Sequence, residues 1–534
     1  MGKTKNIEFW ARLFFSVALS TSFIMGKKVG SYPQLFEFEI IDIVKIIWLA
    51  ILIWVVTFFL VQGIKNWAPS SSRIKWSKRK TFLALMGCIL ISWLPYYFSF
   101  YPILISPDSI DMLYQIEGVY ALNDHHPMVF TLFLKLFVMF GKLLGSNNVG
   151  LAIFAAFQMI VTAASLSAAF TWIALRTNIK MVLPALVFVC IVPLYGAAMM
   201  CAWKDILFSL GVFVFTLFVV WIVKSQGEAL AQKKTLVLLG FLGVWVILFR
   251  HNGVFAFVGT IAVLFFVYRK KITKKLLVTA ICTILVCTVG VNTVRDARGI
   301  EKGDFVESVG IPLQQIAATV AWDGNITESQ AEFLNQLMPL DLMKEKFSTY
   351  FVDPIKFNEE FSKPYLSEHK SEFFKIWLQM LPNNFESYVK AYMMITDGYW
   401  NVRMANDAGL ASLLANQDPA AMETLGITVP SQNHTFLGLD MKELFLTDSG
   451  ALIILAPNMA IMLFAVLFAS VVLVSKRQYH MCLALLPLGI NWGTIMIAAP
   501  TCNDWRYLFS AYLIAPVLLT FAIVIKNKAK SVEE

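Results

Sequence analysis

Apolar residues along this chain gather into long runs parted by short polar segments. The runs are Phe9–Met25, Ile41–Gln62, Phe82–Ile105, Val149–Leu175, Met181–Met200, Ile206–Val223, Thr235–Phe249, Gly253–Tyr268, Leu276–Val294, Ala451–Val474, Met481–Pro500 and Tyr507–Ile525. About 20 apolar residues make a helix that crosses roughly 30 Å of hydrocarbon. The pattern therefore predicts an all-α polytopic membrane protein with about twelve transmembrane helices. Residues 295–450 lack a long apolar run. There Phe373, Trp377, Met380 and Leu381, then Tyr388, Tyr392 and Ile395, recur at helical spacing, and Pro354, Pro364 and Pro382 cut the segment into short helices. The polar stretch Asn401–Gln417 reads as an extended loop. Four parts are expected: residues 1–81 with two helices and a basic loop, a core over 82–294, a mostly helical outer domain over 295–450, and three helices with a basic tail over 451–534.

Composition agrees, with 58% hydrophobic and 15% charged residues against roughly 25% charged in soluble domains. Arg73, Lys75, Lys78, Arg79 and Lys80 form one basic loop, and Arg269, Lys270, Lys271, Lys274 and Lys275 another. Lys233-Lys234, Lys476-Arg477 and Lys526, Lys528 and Lys530 join them on one side when twelve crossings are counted. Short basic loops mark the cytoplasm, so both termini are expected there, in a plasma-membrane protein. The net charge of +9 is then a topology signal and calls for no nucleic acid. Val129–Gly141 is apolar enough to cross, but counting it would send Arg176 and Lys180 to the wrong side. Residues 105–148 are therefore expected outside, with an amphipathic helix on the membrane surface. The first run follows Lys3 and Lys5 yet lacks a small-residue cleavage site, and reads as a retained anchor. None of the seven cysteines forms a ligand-spaced pair, which favours packing roles.

Under this topology several polar clusters share the outer face. Ser106-Pro107-Asp108-Ser109-Ile110-Asp111 follows the third run, and His125-His126-Pro127 lies in the same loop. Trp203-Lys204-Asp205, Arg250-His251-Asn252 and Asn503-Asp504-Trp505-Arg506-Tyr507 occupy three more loops. Each has a plain structural reading. Ser-Pro-Asp is a good helix start. Cations at span ends snorkel to the interface, and Arg250 can sit in a buried ion pair with an aspartate. Asp108 and Asp111, three apart, share one helical face. Taken together, the clusters point to an anionic substrate: cations hold a phosphate while a carboxylate takes a proton from an attacking hydroxyl. Asp108, Asp111 and Asp205 offer oxygen ligands without diagnostic spacing, so a divalent cation stays open.

These stretches resemble those of GT-C glycosyltransferases, multi-span enzymes that use polyprenyl-phosphate-linked sugars and carry a catalytic Asp in the first external loop of their core. Trp203-Lys204-Asp205, Arg250-His251-Asn252-Gly253, Asp504-Trp505-Arg506-Tyr507 and Ile311-Pro312-Leu313-Gln314-Gln315-Ile316 are also similar to a group of Gram-positive bacterial membrane proteins placed near that class. The resemblance spans most of 82–525, with the first two helices as an addition. It implies an inverting transferase moving a sugar from an undecaprenyl-phosphate carrier to an external cell-envelope glycan. Asp108 would be the base and Asp111 its helper. Lys204, Arg250 and Arg506 would hold phosphate with His251 or His126, and Gln115, Asn252, Tyr507 and Trp203 would contact substrate. The Trp-Trp-Asp motif of oligosaccharyltransferases is absent. A lipid-linked glycan flippase and a glycan polymerase or ligase are the competing classes.

Overall fold

A computed structural model describes residues 2–31, 37, 39–67, 76–404, 418–428, 435–437, 439–440, 457–498 and 501–527. Arg73 and Lys75 of the basic loop, residues 405–417 of the expected extended loop, the start of the tenth run at 451–456, and Lys528 and Lys530 lie outside these. The chain is an α-helical membrane protein. Its apolar helices include α1 (Gly2–Ser31), α2 (Ile40–Asn66), α3 (Lys78–Ser99), α6 (Asn147–Ala174), α9 (Lys204–Lys224), α10 (Lys233–Phe249) and α11 (Gly253–Val267). Between α3 and α6 lie α4 (Pro107–Glu117) and α5 (Met128–Leu143). Among the described residues, eight helices are long and apolar enough to cross a membrane.

A ninth candidate is the pair α7 (Ile179–Ile191) and α8 (Pro193–Met199), bent by 60°. The run expected over Met181–Met200 is thus broken into two helices. Pro193 has no N–H to donate and its ring blocks helix continuation, so Val192 adopts an extended conformation (φ −66°, ψ 114°). Three further apolar helices are shorter: α10 has 17 residues, α11 has 15 and Met459–Ser475 has 17. The third run is also shorter as a helix than its apolar length, because α3 stops at Ser99, before Pro102. After α11 come α12 (Lys274–Leu285), a π-helical turn and α13 (Val291–Ala297), which together act as one 24-residue span.

Burial follows these roles. The span Trp505–Val524 is 89% buried and α9 is 78% buried, so they form the centre of the bundle. α2 buries only Asp42, Ala50, Thr57 and Val61, and otherwise presents apolar residues outward. Its buried Asp42 is paired with Lys28 of α1, which avoids an uncompensated charge. α5 packs on α6 through Gly141 and Gly150. A Cβ on Gly141 would fall 2.3 Å from the Gly150 nitrogen, so only glycine allows this approach. Leu132, Leu136, Met139 and Leu143 of α5 face outward while Phe130, Leu134 and Val138 are buried.

Residues 300–400 fold into short helices around α14 (Gly310–Ala321), which is buried from Gly310 to Val320. Its Gln315 donates to the Tyr388 carbonyl (3.1 Å) and accepts from Trp377 Nε1 (2.8 Å). Phe373, Met380, Tyr388 and Ile395 are buried in the same packing. This unit grips the loop before the last helix. Cys502 N donates to the Tyr350 carbonyl (2.7 Å) and Gly398 N to the Cys502 carbonyl (2.7 Å).

Candidate active site

Past a turn at Phe100 the chain leaves helix until α4, and past a turn at Met200 it leaves helix until α9. The two stretches pair: Leu104 N donates to the Met200 carbonyl (2.6 Å) and Ala202 N to the Leu104 carbonyl (3.2 Å). Buried Gln158 of α6 fixes the second stretch by donating to the Met199 and Cys201 carbonyls, both at 3.1 Å. Ser106 caps α4, its Oγ accepting from Ser109 N (3.3 Å) and also from Trp203 Nε1. Ser109 Oγ in turn donates to the Ala202 carbonyl (3.1 Å). The capping role of the Ser-Pro-Asp turn is therefore real, and the same hydroxyls clamp it to Trp203-Lys204-Asp205.

One carboxylate oxygen is the meeting point. Asp108 Oδ2 accepts from Lys204 Nζ at 3.0 Å and from Arg506 Nη1 at 2.8 Å. Arg506 also donates from Nε to Asp504 Oδ2 (2.6 Å) and from Nη2 to Tyr507 Oη (3.3 Å). Its guanidinium lies 4.9 Å from the Trp203 ring and 5.0 Å from the Tyr507 ring. Burial alone would raise the Asp108 pKa, but the Arg506 and Lys204 charges hold it well below the usual carboxylate range. Burial and the Lys204 charge push His126 down to about 2, so its ring is neutral. Its Nδ1 lies 3.0 Å from Lys204 Nζ and accepts that proton, leaving Nε2–H toward Asp111 Oδ2, 3.7 Å away.

Asp111 is set the opposite way. Burial raises its pKa, against a 2.8 Å hydrogen bond from Gln115 Nε2. Gln115 Oε1 accepts from Asn123 N (3.1 Å), which ties the helix face to the loop behind it. Two carboxylates one turn apart thus differ in proton affinity, an arrangement that separates acid-base roles. A cavity of about 430 Å³ opens beside Asp111, lined by Pro107, Ile110, Asp111, Tyr114, Tyr120 and Asp418.

Arg250 takes the ion-pair alternative. Its Nη1 lies 2.5 Å from Asp205 Oδ1, whose side chain is wholly buried. It still borders the site, since its guanidinium sits 4.3 Å from the Tyr507 ring that also receives Arg506. His251 Nε2 donates to the Asp124 carbonyl (3.1 Å), and Asn252 Nδ2 donates to Asn491 (3.2 Å) and Thr494 (2.8 Å). Lys204, Arg506, Trp203, Tyr507 and His126 therefore converge with Asp108, while Arg250, His251 and Asn252 tie to Asp205, to the Asp124 carbonyl and to the middle of the helix Leu486–Ala498.

Two contributors escaped the sequence reading as site residues. Asp504 aims Arg506 from two positions away, and that i, i+2 spacing of opposite charges was its signal. Asp124 pairs with Arg295 of α13 (3.1 Å), next to the parallel pairing of β1 (Asn123–Asp124) with β2 (Glu301–Lys302). No local pattern links positions so far apart. Among the described residues no group of three or more His, Cys, Asp or Glu side chains converges for a metal ion. Asp108 and Asp205 face cations instead.

A family model described as a family of unknown function, DUF6020, matches residues 42–534, and the chain belongs to that family. The match begins in α2, so the second helix is part of the family's common region. No curated protein and no solved structure matches the chain.

Proposed function

We propose that this DUF6020 member is an inverting GT-C-type glycosyltransferase with twelve spans, which moves a sugar from a polyprenyl-phosphate carrier to an extracytoplasmic cell-envelope glycan. The observation that carries the reading is Asp108 Oδ2 held between Lys204 and Arg506. Two cations that converge on one oxyanion form a ready phosphate site, with Asp108 as its occupant in the free protein. When the donor phosphate takes these cations, Asp108 loses the charges that depress its pKa and regains proton affinity. It then accepts the proton of the acceptor hydroxyl as that oxygen bonds to the anomeric carbon. The bond from that carbon to the phosphate oxygen breaks, and the carrier phosphate leaves with its charge neutralised by Lys204 and Arg506. Asp111, held by Gln115, borders the cavity and suits the acceptor. Trp203 and Tyr507 keep the Arg506 plane fixed.

The test is binding of undecaprenyl phosphate to purified protein and to its Lys204→Ala variant. Removal of one charge-assisted contact lowers affinity about tenfold or more. Equal affinity in the two proteins contradicts the phosphate assignment.

A further inference from the structure

At the far end of the bundle six helices finish around one cavity of about 1100 Å³: α2, α6, α9, α11, Met459–Ser475 and Phe509–Val524. Lys65, Arg176, Lys224, Lys476, Arg477 and Lys526 line it, and no Asp or Glu does. Helix C-termini attract cations, each carrying about half a negative charge, so six ends supply about −3. Six cations exceed that. Two of them serve the helix ends directly: Lys476 Nζ donates to the Ile525 carbonyl (3.0 Å) and Arg176 Nη1 to the Trp172 carbonyl (3.2 Å). Lys65 pairs with Glu8 (3.2 Å). Lys224 lies over the Trp172 and Phe521 rings (5.1 and 5.7 Å), and neither it nor Arg477 or Lys526 has a carboxylate or carbonyl partner among the described residues.

The backbone points the same way. Arg477 stands just past a helix end at φ +60°, and Gln226 just past α9 at φ +50°. Both line the cavity, and both hold the left-handed position that glycine takes without strain. Glycine would hold this turn without strain, whereas Arg477 holds it and adds a cation to the cavity wall.

We propose that this cavity binds a phosphate-bearing anion, at a second site separate from Asp108. Lys204 opens and Lys224 closes the same 21-residue helix, which sets the two sites about 30 Å apart. Trp172 and Phe521, with ring centroids 5.6 Å apart, give the cavity an apolar wall beside its cations. A lipid headgroup and a soluble phosphate share this chemistry.

The full chain, in nanodiscs of phosphatidylcholine with or without phosphatidylglycerol, is tested for retained lipid by native mass spectrometry. In detergent it is titrated with inorganic pyrophosphate. Arg477→Gly removes a cation while relieving strain, so the variant folds at least as stably. Retention of phosphatidylglycerol identifies a lipid headgroup, and pyrophosphate binding identifies a soluble anion. In either arm Arg477→Gly and Lys224→Gln each weaken binding about tenfold. Failure to bind either probe, or binding unchanged in both variants, overturns the proposal.

Discussion

Arg506→Lys keeps the charge of the site and should still damage it. The guanidinium serves three partners at once: Asp108 at 2.8 Å, Asp504 at 2.6 Å and Tyr507 Oη at 3.3 Å. A lysine ammonium is a point donor on a flexible stem and cannot reproduce that planar fork. It can satisfy one carboxylate and leaves the other without its partner. The affected side chains are mostly buried, 13% exposed for Arg506, 24% for Asp108 and 17% for Asp504. Loss of one charge-assisted hydrogen bond costs about 1.5–3 kcal/mol, and the weaker stacking on Trp203 costs about 0.5–1 kcal/mol more. The sum is about 3 kcal/mol, a factor of about 150 in an equilibrium constant. The check is an SDS unfolding titration in a fixed detergent, run beside undecaprenyl phosphate binding. Both should fall for Arg506→Lys. A lysine variant within about 0.5 kcal/mol of the parent, with full affinity, would refute the fork as the basis of the site.

Asp397 gives the chain a pH dependence that does not involve Asp108 itself. Burial raises its pKa from 3.8 to about 7, against a hydrogen bond from Asn401, and Asn401 also donates to the Gly26 carbonyl of α1 (3.1 Å). Because the folded state favours the neutral acid, its contribution is full below pH 3.8 and is lost as pH rises through about 7. That amounts to about 4 kcal/mol. Asp397→Asn should therefore flatten this slope and melt higher than the parent at pH 8; identical pH profiles for the two proteins would contradict the assignment. Gly398→Ala should lower transfer without touching substrate, since its Cβ would fall 2.4 Å from the Cys502 carbonyl. Displacing the loop that carries Asp504 and Arg506 by about 1 Å costs about a hundredfold in rate, so a variant with parental turnover would mean that this contact does not position the loop.

Apolar run length was a sound guide to helices because spanning length and backbone satisfaction are properties of each segment alone. It failed at two prolines: Pro193 ends α7 without changing the hydropathy, and Pro102 follows the early end of α3, whereas Pro95, Pro184 and Pro516 sit inside helices. Ser106, Pro107 and Asp108 were readable as a helix start, and that start is present. What no local pattern held was partnership. Arg250 stood out as a cation deep in a short hairpin, but only the packed bundle shows that Asp205 answers it while Arg506 and Lys204 answer Asp108. Likewise Ile311-Pro312-Leu313-Gln314-Gln315 stands out as a motif, and its place is the buried centre of the helices over 300–400. The tertiary pairing of 103–106 with 200–203, which builds the site, joins two stretches that read in sequence as the ends of transmembrane runs.

The central claim is tested most directly by following labelled sugar from an undecaprenyl-phosphate donor in proteoliposomes, for the parent and for Asp108→Asn. The account predicts that the parent forms a new glycosidic bond and releases undecaprenyl phosphate, while a folded Asp108→Asn protein forms none. Parental transfer by Asp108→Asn would remove the carboxylate from the chemistry. Movement of intact donor across the bilayer, with no glycosidic bond formed, would make the protein a carrier and not a transferase.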